Sequence, residues 1–177
     1  MNIFYVDPDP IIAAQCLVDR HVVKMILETC QLLSTAHRVL DGKEYIGKSK
    51  SGRNVKRWKL DDTREVNIYS ATHVNHPSAV WCRATNNNYN WLYCHLEGLI
   101  NEYHHRYGKI HKCTAIKAHL SRLPKNIPIG NMTQPTPAMP DAYIVPGNSL
   151  LSYRAYYSVG KKHLHSWTNR NVPSWIA

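Results

Sequence analysis

The sequence predicts a mainly α protein: a compact single domain, residues 1–177, built on two long helices with a C-terminal helix and long irregular loops. Three observations carry that prediction. From Asp9 to Leu40 the chain opens on Asp9-Pro10 and then runs thirty residues without Gly or further Pro. From Ser78 to Tyr107 it carries apolar residues at helical spacing and stops at Gly108, a residue suited to a left-handed cap. Between Pro124 and Gly147 lie six of the ten prolines, which predicts an extended, irregular segment over 124–147 before a last helix from Asn148 to His165. At 177 residues the chain is long enough to bury one substantial core.

The first helix organises the rest. At 100° per residue Ala14, Val18, Val22, Met25, Thr29, Leu32, Leu33 and Leu40 gather on a core face, and Arg20, Lys24, Gln31 and Arg38 on a basic face. On the seam between them His21, Glu28 and Thr35 stand seven residues apart, and so line up two turns from one another. A lone carboxylate on such a seam is the residue most suggestive of chemistry. Its plain alternative is a surface ion pair with Lys24 at i, i+4.

Residues 1–8 are apolar and end in turn chemistry, which predicts an extended arm packed on the helices, since no partner strand follows. Asp41-Gly42 closes the first helix with a left-handed cap expected at the glycine. Residues 43–59 hold seven basic residues and one acidic, with Gly47, Gly52 and the Ser49-Lys50-Ser51 run breaking any period, and predict a basic loop insertion carrying Trp58. Residues 60–72 suit a strand or a short helix equally. In Asn75-His76-Pro77 the proline forces His76 out of the helical region and starts the second long helix, whose Asn86-Asn87-Asn88 run predicts a bend. Thr114 is the expected cap of a short helix to Leu123. The last helix interleaves Tyr153, Tyr156 and Tyr157 with Arg154, Lys161 and Lys162, as a base-stacking or duplex-facing surface does, although some of those tyrosines are expected in the core.

Twenty-two Lys and Arg against twelve Asp and Glu give a net charge of +10 and a pI near 9.5, which points to a polyanionic partner, nucleic acid first. No apolar run reaches membrane-spanning length and no signal peptide is visible, so a cytoplasmic protein without a membrane partner is expected. Five scattered cysteines without a Cys-x-x-Cys pair read as reduced thiols. Phosphate-binding Gly loops, zinc-protease and deaminase signatures and the Gly-x-Ser-x-Gly elbow are all absent. The His73/His76, His104/His105 and His163/His165 pairs lack flanking carboxylates or Cys at ligand spacing, so neither a metal nor another cofactor is expected.

Asp19-Arg20-His21, with Glu28 seven residues past the histidine, resembles the first helix of the phage endonuclease V type of pyrimidine-dimer DNA glycosylase, where an Asp-x-His precedes the catalytic glutamate at that spacing. The ending Tyr153 to Lys161 is similar to that family's aromatic-basic tail. Asn75-His76-Pro77, a long helix and Arg106-Tyr107-Gly108 match it in pattern, and together these cover about a third of the chain.

The resemblance implies a compact all-α enzyme that flips a nucleotide out of double-stranded DNA. Its N-terminal α-amine attacks C1′ of the lesion's sugar, a Schiff base forms, and β-elimination nicks the strand. An α-amine titrates near neutrality and is partly unprotonated at physiological pH, which makes it a competent nucleophile. The implied catalytic set is Glu28, Met1, Asn2 and His21. The implied nucleic-acid-binding set is Arg20, Lys24, Arg38, Lys56, Arg57, Trp58, His76, Arg154, Tyr157 and Lys161. The sequence departs from the family at its start, Met1-Asn2, where the family exposes a threonine by removing the initiator methionine. Two other readings fit the same residues: a non-catalytic nucleic-acid-binding protein, and an N-glycosidase that uses water, with Glu28 as general base, on another nucleotide substrate. A metal-dependent nuclease is a weaker third.

Overall fold

A computed structural model describes residues 1–49 and 51–176; Lys50 and Ala177 lie outside the described residues. In chain order the elements are α1 (Pro10–Cys16), α2 (Asp19–Asp41), β1 (Lys43–Lys48), β2 (Asn54–Lys59), α3 (Arg64–Asn67), α4 (Pro77–Cys82), α5 (Asn86–Tyr107), α6 (Lys117–Leu120) and α7 (Ser149–Ala155). The chain is mainly α, as its sequence predicts. The long helices α2 and α5 pack on each other, α1 lies on α5, and α4 lies on α2. Gly98 permits the second of these contacts: a Cβ there would stand 3.0 Å from Ala14 Cβ and 3.2 Å from Ile11 Cα.

The N-terminal segment is an arm without strand partners, and Ile3, Phe4, Tyr5 and Val6 are buried. Helix α5 holds its far end, where Trp91 Nε1 donates to Pro8 O (2.7 Å) and the Tyr5 ring lies 5.2 Å from that of Trp91. The proline-rich segment backs its beginning. Extended backbone there leaves carbonyls free, and Ala138 O accepts from Asn2 Nδ2 (2.8 Å) while Pro135 O accepts from Ser149 Oγ (2.6 Å).

The first predicted helix is two. Leu17 and Val18 are extended, and the break exists because distant groups take the backbone donors: Val18 N–H donates to Tyr157 Oη (2.8 Å) and Asp19 N–H to Ser166 O (2.9 Å). The Asp19 carboxylate caps no helix and instead gathers the C-terminal tail, accepting from Ser166 Oγ, Thr168 and Arg106 Nη1. Burial opposes its ionisation, but the bonds from Ser166, Thr168 and Arg106 outweigh that and hold the carboxyl below its ordinary range. Arg106 continues inward to Glu102 (2.7 Å), which also receives Arg170 (2.8 Å). The Glu102 and Arg106 side chains are 1% and 0% exposed. Glu102→Ala leaves the buried Arg106 guanidinium with one of its two carboxylates, Asp19, and removes the carboxylate that receives Arg170, so we expect about 2–3 kcal/mol of destabilisation, read by urea unfolding. A loss below about 1 kcal/mol would show that the network does not lock the tail.

The second predicted helix is also two. Thr85 caps α5 by accepting from Asn88 N–H (3.1 Å), and Asn88 is buried, bonding Trp81 O (2.9 Å) across the break. The asparagine run expected to bend a helix starts one, because short amides bond nearby backbone. Gly108 ends α5 in the left-handed conformation expected of it, φ 62°. Residues 112–120 form a 3₁₀ turn followed by α6, capped by His111 rather than Thr114. The last helix is shorter than predicted, since α7 passes at Tyr156 into a π turn that ends at Gly160.

The described residues of the basic segment are not a structureless loop: Lys43–Lys48 and Asn54–Lys59 form an antiparallel hairpin in which Tyr45 faces Arg57 and Glu44 faces Trp58, with Ser49 N–H donating to Arg53 O (2.8 Å). Tyr45, Gly47, Val55 and Arg57 share one face of the ribbon, but Tyr45 and Ile46 are adjacent and Val55 and Trp58 three apart, so no apolar alternation marks these strands in the sequence. Two strands alone are marginal, and Arg38 fastens these to α2. Expected on the DNA-facing side, Arg38 is 4% exposed; it donates to the carbonyls of Trp58, Glu65, Ile68 and Tyr69 and pairs with the Glu65 carboxylate. The C-terminal half of α2 is thus wrapped on its basic side by residues 58–69. Gly42 is extended (φ −88°) rather than left-handed, and its reason is contact: a Cβ would stand 3.1 Å from Trp58 Cβ.

Candidate active site

Glu28 faces the start of the chain. Its Oε2 accepts from Asn2 N–H (3.1 Å) and lies 3.9 Å from the Met1 α-amine, while its Oε1 pairs with Lys24 (3.1 Å). The carboxylate is 12% exposed, and the Met1 side chain at 3% is packed into the core. The arm reaches Glu28 through the Asn2 side chain, whose Oδ1 accepts from Ile3 N–H (2.8 Å) and Phe4 N–H (3.1 Å) and so folds the terminus back on itself. Phe4 completes the reversal at φ 54°, a conformation bulky residues rarely hold outside functional sites.

Beneath the arm the Phe4 ring stacks on His21, centroids 4.3 Å apart. Tyr157 Oη accepts from Val18 N–H and bonds His21 Nδ1 (2.9 Å). Burial, then Lys161, Lys24 and His163, push the imidazole down to about 4, so His21 is neutral at physiological pH. It positions the arm on the helix that carries Glu28. His76 caps α4, its Nδ1 accepting from Ser78 N–H (3.2 Å), which leaves the neutral ring's proton on Nε2. Burial lowers its basicity, as do the terminal amine and His73, against the opposing pull of Glu28. Amine, carboxylate and His76 thus form one electrostatic cluster. His73 borders it at φ 48°, with Nδ1 bonded to Thr72 Oγ1 (2.8 Å).

The family model for pyrimidine dimer DNA glycosylases matches residues 1–115, which hold the arm, Glu28, the hairpin and His76. The chain belongs to that family. Searches of curated proteins and of solved structures found no match. Membership supports a pyrimidine dimer DNA glycosylase function in general, with DNA as the substrate. The segment from Tyr153 to Lys161 lies beyond the matched residues.

The residues expected from the sequence to meet DNA divide by burial. Arg20 and Lys24 are exposed on α2, and Lys161 lays its ammonium over the Tyr156 ring (4.8 Å). Lys56 is exposed on the hairpin beside half-buried Arg57 and Trp58. Tyr157, expected at the DNA surface, is 0% exposed in the core. Arg154 is engaged by Val6 O (2.8 Å), by Asp7 and by the Trp175 ring. Sequence reasoning missed the Thr72-His73 turn; a histidine in the left-handed region has no signature in composition or spacing. Among the described residues no three His, Cys, Asp or Glu side chains group as metal ligands, and no helix is long and apolar enough to cross a membrane.

Proposed function

We propose that this glycosylase cleaves the N-glycosidic bond of a pyrimidine dimer in double-stranded DNA with its terminal α-amine as nucleophile and Glu28 as the partner of that amine. The convergence of the Met1 amine and the Asn2 N–H on one carboxylate oxygen supports the reading. Removal of Met1 would make the Asn2 nitrogen the α-amine at the same carboxylate. The dimer's nucleotide leaves the stack, which weakened stacking at a lesion makes less costly. The neutral amine bonds to C1′ as the C1′–base bond breaks, and its electron pair departs on the base, which takes up a proton. Loss of a proton from nitrogen and opening of the C1′–O4′ bond give the Schiff base. Removal of a C2′ proton then expels the 3′-phosphate and nicks the strand. Glu28 stabilises the cationic sugar and carries protons, while Arg20, Lys24 and Lys161 meet the flanking phosphates.

Borohydride trapping tests this directly. An ultraviolet-irradiated duplex and an abasic-site duplex should each yield a covalent protein–DNA adduct that maps to the leading residue, with chelator making no difference. An unblocked preparation that binds DNA and gives no adduct with either duplex would remove the amine mechanism.

A further inference from the structure

Helix α2 is a ruler between the site and the hairpin. From Glu28 to Thr35 are seven residues, about 10 Å of axis, and from Glu28 to the end of the helix at Asp41 thirteen, about 20 Å. The seam residue Thr35, one step of seven beyond Glu28, exchanges hydrogen bonds with Thr72 (N–H to Oγ1 3.1 Å; Oγ1 to O 3.3 Å). Thr72 and His73 are one wall of a groove of about 600 Å³ whose other wall is the hairpin, with Lys56, Arg57 and Trp58. The line from Glu28 therefore runs through Thr35 and Thr72 into this groove on one side of the molecule. B-form DNA rises about 3.4 Å per base pair, so for a duplex lying along α2 the groove opens at about three base pairs, where Thr35 meets Thr72, and ends at about six, where the hairpin leaves the helix.

We propose that the groove between the hairpin and the Thr72-His73 turn seats the phosphodiester backbone of the same duplex, about three to six base pairs to one side of the lesion; this rests on the lesion lying at Glu28. Charge complementarity identifies the occupant. The described hairpin residues carry Lys43, Lys48, Arg53, Lys56, Arg57 and Lys59 against a single acid, Glu44. Glu44 lies in the groove and pairs with Lys56 (2.9 Å), both side chains being largely exposed. So open an ion pair is held weakly and yields its ammonium to a phosphate. The latch of Arg38 on Trp58 O (3.2 Å) fixes the groove rather than letting the hairpin swing.

The test is salt-dependent binding to three duplexes: one with the dimer central in about 24 base pairs, and two in which the flank on one side or the other is cut to about two base pairs. Lys56→Ala with Arg57→Ala should lower the log–log salt slope by about two on the full duplex and on one cut duplex, and leave it unchanged on the other. Glu44→Gln should tighten binding severalfold on the same two duplexes only. Both substitutions are remote from the core, and matching melting curves would confirm an intact fold. A slope unchanged on all three duplexes overturns the groove. A slope that falls equally on all three overturns the three-to-six-base-pair register and locates the fault in placing the lesion at Glu28.

Discussion

Glu28→Gln should lower dimer cleavage by about 10²–10⁴-fold while DNA binding holds or tightens, because the carboxylate's contribution is made to reacting atoms rather than to the fold. The amide keeps an oxygen for Asn2 N–H, so the arm stays docked. What it gives up in the ground state are the 3.9 Å pair with the Met1 amine and the pair with Lys24, whose side chain is 65% exposed; such i, i+4 pairs contribute only a few tenths of a kcal/mol. Removing a negative charge from a basic surface reduces repulsion of phosphate and favours binding. In the reaction no group then balances the cationic sugar beside the amine, and no carboxylate collects its protons. Three readouts separate the alternatives: single-turnover cleavage, duplex affinity and thermal melting. Cleavage within tenfold of wild type would assign Glu28 to the Lys24 pair alone. A matching fall in melting temperature would make it a structural residue.

The part of the site that lies along one helix was legible in the sequence, since a seven-residue spacing fixes a shared line whatever surrounds it. His21, Glu28 and Thr35 do mark one seam, and its three side chains meet Tyr157, the terminus and Thr72 respectively. What the arm would do was legible only as burial. That its second residue folds the terminus back onto Glu28 depends on Ala138, 136 residues away, and on a left-handed Phe4.

Partners distant in sequence account for the misreadings too. No propensity marks Leu17-Val18 as a break, because Tyr157 and Ser166 make it by accepting the freed donors. Arg38 lies on the basic face of the wheel, yet a wheel describes a helix in isolation; once residues 58–69 wrap that face, four carbonyls and Glu65 claim the guanidinium. Tyr157 follows the same logic, its hydroxyl drawn inward by Val18 and His21.

Between pH 6.5 and about 4 the fold should lose most of its stability, because three buried imidazoles must stay neutral. His37 is constrained most completely. Tyr89 donates to Leu120 O (2.8 Å) and so accepts from His37 Nε2 (2.8 Å), leaving Nδ1 to accept from Arg64 (2.8 Å); a second proton there would face a guanidinium N–H. His95, 0% exposed, donates Nδ1–H to Pro10 O (2.8 Å), stacks on Trp91, and keeps an unpartnered Nε2. His21 is enclosed by Phe4 and Tyr157. Burial first, then neighbouring cations for His21 and His37, brings each to about 4 from an ordinary 6.5. These are bases depressed in the folded state, so the unfolded chain binds the proton first as pH falls. Stability is whole above 6.5 and is lost down to about 4, by about 3 kcal/mol for each imidazole, against about 5–15 kcal/mol for a typical domain. Below that range the depressed carboxyls of Asp19, Asp41 and Glu102 add loss of the same sign. Urea unfolding at half-unit pH steps should give a limiting slope of about 4 kcal/mol per pH unit near pH 5, equivalent to three protons taken up on unfolding. A flat profile from 6.5 to 4.5 would mean that these rings are hydrated and titrate in the native state as they do in the unfolded chain.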